Sequence, residues 1–238
     1  MGSDMGKIWC IVPAAGIGLR FGEERPKQYI PFRSSTIIDV TIKTLLSCSK
    51  LEKIIVCIHP DDEYAQKSDY INHPKVQVVI GGNERSDSVL SGIQSIQTDK
   101  ADDDWVLVHD AARPCVRLAD INRLIKAAQI HQQGAILAAP IHDTVKEVVN
   151  QLAVNTLDRT RLWRALTPQL FKLKDIQTAL LSENENSYLM TDEASAIEQL
   201  GLPVRIVEGH ADNIKITVPA DLQLANMYMD QQEEKSCG

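Results

Sequence analysis

Short apolar, β-branched runs alternate along this chain with segments whose apolar residues recur every three or four positions, and this alternation narrows the fold more than any single motif. The runs at 54–58, 76–80, 106–108 and 135–138 read as buried strands. Between them, Ile38, Ile42, Leu45 and Leu46, then Val89, Ile93 and Ile96, then Ile121, Leu124, Ile125 and Ala128 keep helical spacing. Strands this uniformly apolar need cover on both faces, so the pattern predicts an α/β fold with a mostly parallel, doubly wound sheet. Ligands of such sheets lie beyond the carboxyl ends of the strands. The chain has 238 residues and 44% hydrophobic content, enough for one such domain, and no repeat or low-complexity linker divides it.

The stretch 8–12 reads as a further strand and leads into Pro13-Ala14-Ala15-Gly16-Ile17-Gly18-Leu19-Arg20, with Pro26-Lys27-Gln28 close behind. Glycines at 16 and 18 remove side chains that would hold an anion off the main chain, and they let successive amides turn inward. Arg20 adds a planar fork and Lys27 a compact charge, an order suited to the phosphates of a nucleoside triphosphate. The string is not a P-loop, which ends in Gly-Lys-Ser/Thr. Nor is it the dinucleotide fingerprint, whose third Gly or Ala is replaced here by Phe21. Alone, such a loop reads equally as a structural turn.

A net charge of -7 excludes a nucleic-acid coat or an anionic membrane surface as partner, since both ask for a basic face. Every apolar run falls short of the roughly 18 residues a bilayer crossing requires, and no secretion pattern opens the chain, so a cytoplasmic protein is expected. Cysteines 10, 48, 57, 115 and 237 are odd in number and include no C-x-x-C pair, which reads as reduced thiols. The four residues before Met5 resemble an appended leader and carry no weight in the fold.

Three further segments carry chemistry. In Val108-His109-Asp110-Ala111-Ala112-Arg113-Pro114, Asp110 ends a strand opposite the glycine loop, where it suits a divalent cation shared with phosphate oxygens or, equally, a turn. His109 reads as an ordinary hydrogen-bonding residue, and Arg113 as a partner for a nearby carboxylate. In Gly81-Gly82-Asn83-Glu84-Arg85-Ser86-Asp87-Ser88, the glycines let a flat base approach, while Ser88 offers a hydroxyl to a pyrimidine edge and Ser86 or Asp87 a helix cap. Residues 143–156 alternate apolar and polar in two halves around Asn150-Gln151, the pattern of an inserted two-stranded ribbon. An isolated ribbon is barely stable, so it is expected to pack on a second subunit in a symmetric dimer, with folding back on its own domain as the alternative.

Taken together these strings closely resemble the 2-C-methyl-D-erythritol 4-phosphate cytidylyltransferase family. The resemblance runs from Ile8 to about Tyr228 through the three motifs above, Ala-Leu-Thr-Pro-Gln at 165–169, Thr-Asp-Glu-Ala-Ser-Ala at 191–196 and Asp-Asn-Ile-Lys at 212–215. It implies a single Rossmann-like nucleotidyltransferase domain over 1–238 with a β-arm at 140–163 that crosses to the partner subunit. It further implies a cytidylyl transfer from CTP to the methylerythritol phosphate, with magnesium, releasing pyrophosphate in non-mevalonate isoprenoid synthesis. Carried over by residue, Arg20, Lys27, Arg159 and Lys215 are the catalytic cations, and Pro13, Ala14, Ala15, Gly16, Gly18, Gly82, Ser88 and Ala111 hold the nucleotide. Asp110, Arg113, Thr144, Arg159, Thr167, Asp212 and Lys215 serve the acceptor, with Asp110 also the magnesium ligand and Thr144 and Arg159 candidates to act from the neighbouring chain. Asn83 stands where some relatives carry Asp, which leaves a main-chain role there. A pentitol phosphate cytidylyltransferase shares fold and chemistry and differs only in its acceptor. A non-catalytic nucleotide-binding module would not need the acceptor cations. No fused cyclase is expected beyond Tyr228.

Overall fold

The structure, a computed structural model, describes residues 6–16, 25–99, 102–186 and 191–236. Strand β1 (Ile8–Pro13) opens the chain, and a two-residue hairpin, β2 (Pro31–Phe32) and β3 (Ser35–Thr36), leads into helix α1 (Ile37–Leu46). Then come β4 (Leu51–Ile58), β5 (Val76–Ile80), α2 (Arg85–Gln94), β6 (Trp105–Val108), α3 (Leu118–His131) and β7 (Gly134–Pro140). The arm is β8 (Val145–Val149) and β9 (Leu152–Leu157), followed by β10 (Trp163–Lys172), α4 (Leu173–Asn186), α5 (Glu193–Gln199), β11 (Val204–Glu208) and α6 (Pro219–Ser236).

Seven strands form one sheet in the order β11-β7-β10-β6-β1-β4-β5. From β1 the winding runs through β4 to β5, and the chain then returns to place β6 on the other side of β1. The loops that leave β1 and β6 therefore diverge, and a crevice opens between them at this reversal of strand order. All pairings are parallel except those of β10, which runs antiparallel to both β6 and β7.

Side-chain alternation along the central strands explains the two helical layers. Ile8, Cys10 and Val12 of β1 pack in one core with Ile38, Ile42 and Leu45 of α1 and Ile121, Leu124 and Ile125 of α3. Trp9 and Ile11 face the opposite core, with Val89 and Ile93 of α2, Ile176 and Leu180 of α4 and Ile197 of α5. Each strand is thus apolar on both faces because each face meets helices. A third, smaller cluster joins Ile30, Phe32, Ile37, Cys115 and Ile216 to Ala225 of α6.

The predicted strands, helices and ribbon all form. The ribbon turns at Asn150 and Gln151, with φ of 50° and 65°, the left-handed pair that a two-residue hairpin demands. It makes a separate two-stranded sheet. Its apolar side chains do not fold back on the domain: Val148 is 57% exposed, Leu152 70% and Val154 56%. Strand β10 has no counterpart in the sequence reading, because Pro168 lies inside it and proline rarely enters a central strand. Its pairing with β7 breaks register between Ala165 and Gln169, which places the residue without an N–H where no ladder bond is made. No described helix is long and apolar enough to cross a membrane. Cys10, Cys48, Cys57 and Cys115 are buried free thiols, as expected of reduced cysteines.

Ile11 is fully buried at the centre of β1. Ile11→Ala is expected to lower unfolding stability by about 3 kcal/mol, the usual range for emptying an isoleucine site in a rigid core. Urea denaturation with an unchanged slope checks it.

Candidate active site

At the mouth of the crevice the chain after β1 is held by the Ala14 N–H, which donates to the Cys57 carbonyl of β4 at 2.7 Å, and by a side chain. Gln28 is buried, and its Nε2 donates to the carbonyl oxygens of Ala14 at 2.6 Å and Gly16 at 3.3 Å. Among the described residues a Cβ at Gly16 would meet nothing within 4 Å. Gly81 and Gly82 follow β5 and need to be glycine for close approach. A Cβ on Gly81 would lie 2.9 Å from the Ala15 Cβ, and one on Gly82 would lie 2.2 Å from the Asp87 Cβ. Helix α2 begins directly after Glu84, so neither Ser86 nor Asp87 is its cap; Asp87 instead reaches back to accept from the Glu84 N–H at 3.1 Å. Ser88 accepts from the Gly82 N–H at 3.2 Å and donates to the Glu84 carbonyl at 3.1 Å, which locks the glycine pair against α2.

These segments enclose a cavity of about 270 Å³ lined by Pro13, Ala14, Ala15, Gly16, Lys27, Gly82, Asn83, Ser88, Asp110, Ala111 and Lys215, among others. Apart from Gly18, every residue expected to hold the nucleotide lies on it. Gly18 and Arg20 lie outside the described residues. A second cavity of about 240 Å³ adjoins it, lined by Arg113, Thr167, Gln169, Thr191 and Asp192 together with Asp110, Arg85 and Lys215. Those last three residues border both cavities.

Asp110 organises this shared wall. Its Oδ1 accepts from Arg85 Nε at 3.1 Å, and its Oδ2 accepts from Arg113 Nε at 3.0 Å and pairs with Lys215 Nζ at 3.1 Å. Burial by itself would raise the pKa of this carboxyl, but the charges of Arg85, Lys215 and Arg113 outweigh it and hold the group far below the ordinary carboxylate range. Arg85 is in turn paired with the buried Glu193. Burial would lower the Arg85 pKa, and the two carboxylates more than offset that.

His109 shows how the strand end is fixed. The Arg113 carbonyl can only accept, so the ring donates to it from Nε2 at 3.2 Å; Nδ1 then accepts from the Thr167 hydroxyl at 3.0 Å. The same hydroxyl oxygen accepts from the Asp110 N–H at 3.1 Å. Every atom in this chain has one role only when the imidazole is neutral, and burial pushes its pKa down to about 4. Asn213 extends the clamp: its Nδ2 donates to the Thr167 carbonyl at 2.7 Å, and its own carbonyl accepts from Arg113 Nη1 at 2.8 Å. Thr167 and the loop that carries Lys215 are thereby tied to the end of β6.

Two expected roles change, those of Asp110 as metal ligand and of Asp212. Asp110 does not fit the magnesium assigned to it, because its oxygens are already taken up by three cations. Asp212 lines neither of these two cavities; it pairs with Arg117 and accepts from Gln232 Nε2 at 3.4 Å. Thr144 and Arg159 are exposed at the arm, outside both cavities, and Arg159 Nη1 donates to the His142 carbonyl at 2.6 Å. Arg85 and Gln28 belong to the site although sequence reasoning gave them no task. Both stand inside motifs already singled out, Gly-Gly-x-Glu-Arg and Pro-Lys-Gln, which was the available signal.

The family model for 2-C-methyl-D-erythritol 4-phosphate cytidylyltransferase matches residues 8–231. The chain belongs to that family. A cytidylyltransferase of this name from Vibrio atlanticus (strain LGP32) is 45% identical over 234 residues, covering 98% of this chain and 100% of its own. One from Shewanella pealeana is 48% identical over 223 residues, covering 93% and 95%. The crystal structure of the cytidylyltransferase from Francisella tularensis superposes with a TM-score of 0.82 at 39% identity, covering 94% of this chain and all of that one. The mostly parallel sheet and its flanking helices are therefore the fold of the cytidylyltransferase family.

Because His109 is buried neutral, its contribution to stability is complete above pH 6.5 and is lost as pH falls toward about 4, where the unfolded chain binds a proton that the folded chain refuses. The loss is expected to reach about 3 kcal/mol at 1.36 kcal/mol per unit. Denaturant melts of the wild type between pH 6.5 and 4 should show this slope, and His109→Asn should remove it.

Proposed function

We propose that this chain transfers a cytidylyl group from CTP to 2-C-methyl-D-erythritol 4-phosphate, giving 4-diphosphocytidyl-2-C-methyl-D-erythritol and pyrophosphate, a step of non-mevalonate isoprenoid synthesis. The observation that carries this reading is the wall of Asp110, Arg85 and Lys215 common to two adjoining cavities. A nucleotide on one side and a phosphorylated polyol on the other would meet at that wall.

The nucleophile is a phosphate monoester whose second pKa, about 6, leaves it largely dianionic at neutral pH, so no general base is required. This agrees with His109, which is buried, neutral and fully engaged in holding the strand end. An oxygen of the acceptor phosphate forms a bond to the α-phosphorus, the bond from that phosphorus to the bridging oxygen breaks, and pyrophosphate leaves with the electron pair. The protein's task is to align two polyanions and to meet the charge that builds on the phosphoryl oxygens. Lys27 faces the nucleotide cavity and Lys215 the junction, each suited to that charge. The narrow pocket formed by Ala14, Ala15, Gly82 and Ser88 suits a flat pyrimidine. Arg113 and Thr167 are held at the acceptor side, and Asp110 keeps the cations in register rather than binding a metal. Magnesium in this reading arrives on the triphosphate.

The arm is proposed to pair with a second copy of the chain, since Val149, Leu152 and Val154 present an apolar surface left more than half exposed by the described residues. In the dimer, Thr144 and Arg159 act at the partner's acceptor cavity. Incubation with CTP and either methylerythritol phosphate or ribitol 5-phosphate, followed by pyrophosphate measurement, tests the activity. Release only with the first is expected, and release only with the second would reassign the acceptor. Lys27→Ala is expected to lower kcat by on the order of a hundredfold, as loss of one preorganised donor does; steady-state assay at saturating substrates checks it. Sedimentation should give twice the 26.5 kDa chain mass, and Leu152→Asp should shift it toward one chain.

A further inference from the structure

Glu193, the first residue of α5, is fully buried beside the site, and the chemistry above gives it no task. Its Oε1 accepts from Arg85 Nη1, while its Oε2 is buried with no hydrogen-bond partner. A buried carboxylate with half its acceptors empty is costly, so its presence calls for a reason. Helix initiation is not that reason. Asp192 already caps α5, accepting from the Ser195 N–H at 3.0 Å, and Gln169 ties the same turn to β10 by accepting from the Ala194 N–H at 3.0 Å and donating to Asp192 at 2.8 Å.

The geometry at Arg85 supplies a reason. A guanidinium facing a lone carboxylate closes a two-pronged pair that engages both oxygens. Here Glu193 pins Nη1, which lies off the Nε–Nη2 edge, and in that fixed orientation Arg85 meets Asp110 through Nε and touches only Oδ1. Oδ2 remains for Arg113 and Lys215. A two-pronged Arg85 would claim Oδ2 and displace the single-point ammonium, the weaker competitor for a planar carboxylate.

We propose that Glu193 is a positioning residue for the phosphoryl transfer: by holding Arg85 to one contact with Asp110, it keeps Lys215 on the remaining oxygen, between the two cavities. The inference rests on the function proposed above. In Glu193→Gln the shape is kept and the charge is lost, Arg85 turns onto Asp110, and Lys215 leaves the junction. Lys215 borders both cavities, but the nucleotide cavity keeps Lys27, so the loss falls on the acceptor step.

The test compares wild type, Glu193→Gln, Arg85→Gln and the double variant. For Glu193→Gln the expected result is a cooperative melt, a calorimetric Kd for CTP within about twofold of wild type, and kcat/KM for the polyol phosphate down by roughly tenfold or more. Because Glu193 acts through Arg85, adding Glu193→Gln to Arg85→Gln should cost nothing further in kcat/KM. Several results overturn the proposal: unchanged kcat/KM in Glu193→Gln, a loss shared equally by CTP affinity and the acceptor step, multiplicative losses in the double variant, or loss of the folded state in both the glutamine variant at 193 and the neutral double variant. A wild type that releases no pyrophosphate with any polyol phosphate overturns the proposed function along with it, whereas an active wild type beside an unaffected Glu193→Gln sinks this inference alone.

Discussion

Three cations converge on one buried carboxylate where the sheet reverses its winding, and the arrangement of the site depends on that cluster. Asp110 is only 6% exposed, yet it remains ionised because Arg85, Arg113 and Lys215 surround it. Cations in water wander over their rotamers, whereas cations held on a buried carboxylate present fixed charge to whatever enters the adjoining cavities. The desolvation of Asp110 and the immobilisation of three long side chains are offset by the pairing. The result is a preorganised positive wall in a protein whose overall charge is -7.

The cluster is held from behind by neutral chemistry. His109 links the Thr167 hydroxyl to the Arg113 carbonyl, and Asn213 links the Thr167 carbonyl to Arg113. Four separate parts of the chain, the end of β6, the loop after it, the middle of β10 and the loop before α6, are therefore locked together by hydrogen bonds that do not titrate at neutral pH. Strand β10 makes this possible: running antiparallel between β6 and β7, it carries Thr167 back to the carboxyl end of β6. A parallel strand in that place would deliver its middle residues from the other direction.

Much of the site was legible in the sequence because its parts are local. The loop at 13–16, the glycine pair at 81–82 and the strand end at 110–111 each announce themselves by composition beside an apolar run, and all of them except Gly81 line the first cavity. The readings that changed concern pairing. Asp212 reads as an acceptor-binding residue beside Lys215, but its side chain meets Arg117 instead. Asp110 reads as a metal ligand because a strand-end carboxylate opposite the glycine loop suits one, and no local pattern reveals that three cations occupy it. Glu193 reads as an ordinary acidic residue in a first helical turn, since nothing nearby in sequence marks it as buried against Arg85, 108 residues away.

The alternation of strands and helices from β1 to β7, their apolar faces and the tight turn at Asn150-Gln151 were determined by the sequence alone, since periodicity and turn chemistry are set by neighbours within a few residues. The identity of the hub, the antiparallel course of β10 through Pro168 and the sharing of Arg85 between Asp110 and Glu193 were decided only in the tertiary structure. Each depends on which groups desolvate together. Charges separated by 25 or 108 residues acquire partners only when folding removes the water between them.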